Sequence, residues 1–229
     1  MIDLDTHLVR TSRTFALSIP RLSEPTRREV TIAYLVLRVA DTFEDAATWP
    51  RGRRVEALAQ FAELLAGPAP EPAVERARRW AAEVPCASAA YRELLADLPG
   101  VLAEFFALAP ASVVTIRHHL LRSVQGMARY VARTDDSGEL RLEDLEDLRG
   151  YCYVVAGIVG ELLTELVLRE RPALAPVAAR LRERSPHFGE ALQLVNILKD
   201  SAADLVEGRC YLPPAAARSR RARASASPR

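Results

Sequence analysis

Apolar residues recur at helical spacing along most of the chain. No Val/Ile/Thr run shows the alternating polarity that a strand needs. From Ser23-Glu-Pro25, a helix start with Pro in the first turn, Val30, Ala33, Leu37 and Ala40 form one stripe, which Trp49-Pro50 ends. Arg53 to Leu65 predicts a short amphipathic helix, closed by Gly67-Pro-Ala-Pro-Glu-Pro72. Val74 to Val84 and Ser88 to Leu98 predict two more, the second stopped by Pro99-Gly100. Ser112 to Ala132 carries Val113, Ile116, Leu120, Val124, Met127 and Val131 at near-heptad spacing. Thr134 to Gly138 reads as a loop, and Leu142 to Leu148 as a turn or short helix. Tyr151 to Leu168 is almost uniformly apolar, which predicts a buried helix, and Phe188 to Val206 predicts another. After Tyr211-Leu-Pro213 no large apolar side chain remains. Residues 214–229 are therefore expected to be a disordered Ala/Ser/Arg-rich tail behind one all-α domain, 1–213.

Two helices break their own pattern with acids. Tyr34, Arg38, Asp41 and Asp45, at steps of 4, 3 and 4, share one helical stripe with Glu44 beside it. Gln193, Asn196, Asp200 and Asp204, at steps of 3, 4 and 4, share a second. Carboxylates in core-forming helices are costly unless positive charge compensates them. Two facing stripes of this kind offer hard oxygen ligands to divalent cations, and Mg²⁺ held so completes its shell with water and phosphate. The expectation is Mg²⁺ together with a diphosphate. The competing reading of Asp41 and Asp45 is a solvated helix end, with Arg38 an ordinary i,i+3 partner.

Composition narrows the choice. The chain has 229 residues, enough for one substantial core, and 49% of them are hydrophobic. Net charge is +1, so no global field draws it to nucleic acid, and the five arginines of the tail read as solvated charge. Lys199 is the only lysine. Cys86, Cys152 and Cys210 have neither disulfide-framework nor zinc-site spacing. The adjacent His118 and His119 point apart on a helix and are not expected to chelate. No apolar run is read as membrane-spanning, and the N-terminus lacks a signal-peptide core, so a soluble, bacterial-type cytoplasmic protein is expected.

The residues also carry a family resemblance. Ser12-Arg-Thr-Phe15, Ala33 to Asp45 with its Asp41-Thr-Phe-Glu-Asp45 core, Gly126-Met127, Tyr151-Cys-Tyr-Val-Val-Ala-Gly-Ile-Val-Gly160, and Ala191 to Asp200 followed by Gly208-Arg-Cys-Tyr-Leu-Pro213 come in one order. Together they resemble the squalene/phytoene synthase family, head-to-head prenyltransferases of the all-α isoprenoid synthase fold with a central cavity. The resemblance implies Mg²⁺-dependent condensation of two prenyl diphosphates, farnesyl or geranylgeranyl, through a cyclopropyl diphosphate to a squalene- or phytoene-type product. Whether NADPH reduces the intermediate is left open.

By the same resemblance Tyr151 is the catalytic tyrosine, with Tyr34 beside it as a second candidate. Arg13, Arg38, Gln193, Asn196 and Arg209 are candidates for the diphosphates. Asp41, Glu44, Asp45, Asn196, Asp200 and Asp204 are candidates for the metal. Phe15, Met127, Val154, Gly157, Ile158 and Gly160 are candidates for the prenyl pocket. The bland alternative for Tyr34 and Tyr151 is core packing, and for the two glycines close helix approach. Two departures stand out: Ala203 replaces an acid common in the second motif, and the family normally continues with further helices after the loop at 208–213. A C-terminally shortened member lacking those helices is therefore expected. The alternative function is a catalytically silent lipid- or protein-binding assembly protein. Peripheral membrane contact for product release, and a partner that completes the fold, are both left open.

Overall fold

The computed structural model describes residues 2–12, 14–67, 70–83, 85–135, 138–206 and 211–213, without the side chains of 70–72 and 202–206. Among these residues there is no strand. The helices are α1 (Leu4–Thr11), α2 (Phe15–Ser18), α3 (Thr26–Glu44), α4 (Arg51–Ala66), α5 (Pro70–Ala82), α6 (Ala89–Ala96), α7 (Leu98–Phe106), α8 (Pro110–Val131), α9 (Leu145–Cys152), α10 (Ile158–Glu170) and α11 (Ala178–Val206). A π-helical segment, Tyr153–Gly157, joins α9 to α10 without a break. The tail 214–229 lies outside the described residues.

The core follows the apolar stripes. α3 is the centre of the bundle: Ile32, Leu35, Val36, Val39, Ala40 and Phe43 are all buried against α4, α7 and α8. Phe43 closes its C-terminal end among Trp49, Phe61 and Trp80, whose rings lie 4.7–5.9 Å away. Such ring pairs add to the gain from burying their large apolar area. An ion pair between buried Glu29 and the more exposed Arg169 ties the other end of α3 to α10. Both carboxylate oxygens of Glu29 accept from Arg169 Nη2 at 2.7 Å, and Ser112 of α8 donates to the same carboxylate at 2.5 Å.

Three expected helix boundaries are corrected. Pro99-Gly100 does not stop a helix but starts α7, because Pro in the first turn removes a donor that has no intrahelical acceptor anyway. Pro70 and Pro72 likewise belong to the start of α5 rather than to a loop. α11 begins ten residues before Phe188, at Ala178, and runs through Pro186.

The apolar stretch from Tyr151 is not buried all round. Helix Leu145–Glu170 has a mean hydropathy of 1.6 and the length of a membrane span, contrary to expectation, yet only 39% of its most apolar window is buried. Here it packs on α8 and α11. The outer face of α11 is also apolar, with Phe188, Leu192, Val195 and Leu198 exposed.

The crossing of α10 and α11 depends on absent side chains. A Cβ on Gly160 would meet the Ser185 carbonyl, and one on Gly189 would meet the Ala156 carbonyl. A Cβ on Gly157 would lie 2.7 Å from the Tyr153 ring and 3.3 Å from the Pro186 carbonyl. These glycines let two backbones touch and so bring the acid-bearing end of α11 towards α3.

Candidate active site

The acids of α3 stand where a helix least favours them. Asp41, Glu44 and Asp45 occupy its C-terminal turn and cap, the negative end of the helix dipole. Arg38, one turn earlier, donates to Asp41 at 2.7 Å. Its guanidinium is steadied by the Tyr34 phenol at 3.3 Å and lies over the rings of Tyr34 and Tyr91. Burial raises the Asp41 carboxyl above its usual range, with Arg38 opposing. Glu44, 8% exposed, is pushed up to about 8 by burial and by the charges of Asp45 and Asp41, against the Tyr151 phenol and Arg54. Arg54 of α4, itself buried, donates to the Glu44 carbonyl.

Opposite this cluster, the α9–π–α10 helix presents Tyr151 and α11 presents its polar stripe. Asp41, Glu44, Asp45, Tyr151, Val155, Gln193, Asn196, Ile197, Asp200 and Tyr211 surround one pocket of about 260 Å³. Tyr151 donates to Glu44 Oε1 at 3.2 Å. Its ring stacks on Tyr211 at 5.3 Å and meets Tyr130 edge-on at 5.2 Å. Burial raises the Tyr151 phenol well above its ordinary value, reinforced by the charge of Glu44, so it is neutral and a donor at neutral pH. Asn196 and Asp200 are exposed, and Asp200 lies 3.6 Å from Lys199 Nζ.

Seven of the expected site residues therefore converge: Asp41, Glu44, Asp45, Tyr151, Gln193, Asn196 and Asp200. Tyr34 and Arg38 adjoin the pocket through Asp41 without lining it, and the Tyr34 phenol donates to the Thr11 carbonyl at 2.9 Å. Arg13, Arg209 and the Asp204 side chain lie outside the described residues. The residues expected to form a prenyl pocket do not line this one. Met127, Val154 and Ile158 are packed in the core, and Phe15 rests on the Tyr34 ring at 5.5 Å. The space beside Gly157 and Gly160 is filled by Tyr153 and the α11 backbone. Val155, Ile197, Tyr211 and Arg54 were not anticipated. Val155, Ile197 and Tyr211 each fell within a resembling motif that did not single them out, and Arg54 had no such signal.

Among the described residues no three His, Cys, Asp or Glu side chains cluster tightly enough to hold a metal alone. The donor set nevertheless fits Mg²⁺. It is all oxygen, it stands at a helix end that repels its charge, and Mg²⁺ commonly takes one or two carboxylates with water and phosphate for the rest.

Comparison with known proteins shows the family. A family model described as squalene/phytoene synthase matches residues 8–220. The chain belongs to the squalene/phytoene synthase family. It is 33% identical over 210 residues to a squalene synthase of Eremothecium gossypii, covering 90% of this chain and 44% of that protein. Against squalene synthase ERG9 of Saccharomyces cerevisiae the values are 31% over 204 residues, 89% and 43%. A solved complex of TcSQS with the ligand BPH1237 superposes with a TM-score of 0.72 at 29% identity, covering 92% of this chain and 57% of that one. The chain thus spans less than half the length of these curated relatives.

Proposed function

We propose that the protein catalyses Mg²⁺-dependent head-to-head condensation of two prenyl diphosphates, farnesyl or geranylgeranyl, to a squalene- or phytoene-type hydrocarbon. The observation that carries this reading is the single pocket where the acids of α3 and the Gln193/Asn196/Asp200 stripe of α11 face each other beside Tyr151. Asp41, Glu44, Asp45 and Asp200 would hold Mg²⁺, which when bound neutralises diphosphate oxygens and eases departure of the leaving group.

The chain's own residues supply the rest. Gln193 and Asn196 donate amide hydrogen bonds to phosphate oxygens. Arg38 fixes Asp41 and opposes the effect of burial on its carboxyl. When the C1–O bond of the first substrate breaks, its electron pair leaves with diphosphate, and the double bond of the second substrate forms the new C–C bond. The stacked rings of Tyr151 and Tyr211 stand together in the pocket wall, where their electron-rich π-systems stabilise the resulting cation. The proton lost on cyclopropane closure goes to the Tyr151 oxygen as the phenol's own proton passes to Glu44 Oε1, a carboxylate that is ionised once the acid cluster is loaded.

The same reading makes the protein a soluble cytoplasmic enzyme that meets a membrane only to release an apolar product. Whether NADPH follows the condensation is a matter for the product assay. The exposed apolar face of α11 favours one second reading, a silent family member that binds a lipid or protein there. Incubation of the full chain with Mg²⁺ and either diphosphate, with and without NADPH, is expected to yield diphosphate and a linear C30 or C40 hydrocarbon by mass spectrometry. Binding of a thio-analogue without any product would replace the enzyme with the silent protein.

A further inference from the structure

Tyr153 sits two residues beyond Tyr151, on the other side of the helix. Its phenol donates to Glu161 Oε1 at 2.9 Å, eight positions along. In an uninterrupted α-helix, eight residues leave two side chains about 80° apart around the axis, which is a poor geometry for contact. The π-helical segment Tyr153–Gly157 absorbs one extra residue, so the pair behaves as i,i+7 and falls within about 20° of one line. The hydrogen bond thus belongs to the π register and would be lost in an α register.

Arg122 of α8 closes the arrangement. It donates to Glu161 Oε2 at 2.6 Å and, with its other terminal nitrogen, to the Tyr153 oxygen. The neighbouring Ser123, 1% exposed, donates at 2.8 Å to the Val154 carbonyl within the π segment. On the opposite face Gly189 seats α11 against the Ala156 carbonyl. Two of the five residues in the segment therefore have backbone carbonyls met from neighbouring helices, and its first residue is pinned by a charged fork.

We propose that Arg122, Tyr153 and Glu161 form a positioning clamp that holds the π register and thereby keeps Tyr151 directed at Glu44. A one-residue slip to the α register would turn the helix by about 100° between Tyr151 and the core-facing Ile158, Leu162 and Leu166. Those three are buried and anchor α10, so the rotation would fall on the Tyr151 end. The clamp touches neither the pocket nor a substrate. It acts through Tyr151, and its catalytic consequence rests on the function proposed above.

The test uses the full chain with ¹³C-labelled tyrosine rings, the Tyr151 signal being assigned by its loss in Tyr151→Phe. Glu161→Ala and Tyr153→Phe are expected to move the Tyr151 signal and leave that of Tyr91 in place. In the same variants kcat is expected to fall by roughly 100-fold, with affinity for a Mg²⁺–thio-analogue held within about twofold. Glu161→Gln, which keeps an acceptor for the Tyr153 phenol, should restore most of the rate. In a Tyr151→Phe background the clamp variants should cost nothing further. A Tyr151 signal that stays put in folded Glu161→Ala and Tyr153→Phe would overturn the clamp, as would equal losses with and without the Tyr151 hydroxyl. A wild-type chain that makes no product would refute the proposed function alone, since the ring signal still reads the clamp.

Discussion

The phenol of Tyr151 and the carboxyl of Glu44, 107 positions apart, meet at 3.2 Å inside the bundle. Neither makes sense there alone: the acid is buried at the wrong end of a helix dipole, and the phenol has been lifted out of its ordinary range. As a pair they are joined by a hydrogen bond from the pocket wall into the acid cluster, which the proposed mechanism uses as its proton path. Tyr151→Phe keeps the ring stack on Tyr211 and removes that path. We expect thio-analogue binding within about twofold of wild type and product formation lower by roughly 10²–10⁴, the usual worth of a positioned acid–base group. Isothermal titration and a product assay on one preparation separate the two, and unaltered product would remove the hydroxyl from the mechanism.

Asp200 lies exposed on α11, so Asp200→Asn should change stability by no more than about 0.5 kcal/mol. The same substitution removes one hard anionic donor from the pocket. Mg²⁺-dependent binding of diphosphate should weaken by roughly tenfold or more, about 1.4 kcal/mol. Asp41→Asn should weaken it too, while leaving Arg38 without its partner and lowering the melting temperature as well. Titration of inorganic diphosphate with and without Mg²⁺ reads both effects. Unchanged binding in both variants would take the metal away from this pocket.

Much of this site was visible in the bare sequence because helical periodicity is strict. Asp41 and Asp45, or Gln193, Asn196 and Asp200, share a face whatever surrounds them. What escaped was tertiary. Tyr211 reaches Tyr151 from a loop, and Arg54 reaches the Glu44 carbonyl from the next helix, neither of which a spacing within one element reveals. α7 was hidden because Pro99 serves equally as a stop and as a first-turn residue. Gly157 and Gly160 carried two readings, and only the path of α11 decides that their free faces hold backbone. The extra residue of the π segment has no counterpart in the hydrophobic pattern.

The raised Glu44 carboxyl sets a pH dependence with a definite sign. Between its ordinary value of 4.5 and about 8 the folded chain holds a proton that the unfolded chain has released. Its contribution to stability is therefore full below the ordinary value and is lost as pH rises through about 8, at up to about 1.4 kcal/mol per pH unit. Urea midpoints of the metal-free protein should decline across that window, and Glu44→Gln should flatten the decline. Added Mg²⁺ should stabilise more at pH 8 than at pH 6, because the cation favours the ionised cluster. A midpoint independent of pH in wild type would contradict this assignment.

Two glycine substitutions should act in opposite directions. Gly160→Ala drives a methyl into the Ser185 carbonyl, a backbone atom that cannot rotate away, and should cost about 1–3 kcal/mol as α10 and α11 part. Gly52 lies in α4 with nothing within 4 Å of its would-be Cβ, so Gly52→Ala should gain roughly 0.5–1 kcal/mol from helix propensity. Chemical denaturation reads both. If Gly160→Ala were neutral, the close crossing would not be what seats the acid stripe of α11.

The outer face of α11 makes the last case. Phe188, Leu192, Val195 and Leu198 are 67%, 47%, 59% and 44% exposed, and their spacing of 4, 3 and 3 places them along one side of the helix. Isolated apolar residues on a surface are ordinary, but four along one helix form a continuous strip that water solvates poorly. The chain should therefore enhance the fluorescence of a hydrophobic dye and associate with itself as concentration rises. Phe188→Ser with Val195→Ser should suppress both, and because the two side chains are mostly exposed, folding stability should move by no more than about 0.5 kcal/mol. Asn196 and Asp200 point to the pocket from neighbouring positions, so diphosphate binding in the double variant reports whether the strip and the site act independently. Sedimentation velocity across a concentration series decides the matter: a wild-type chain that stays monomeric and leaves the dye dark would show that the strip is covered in solution.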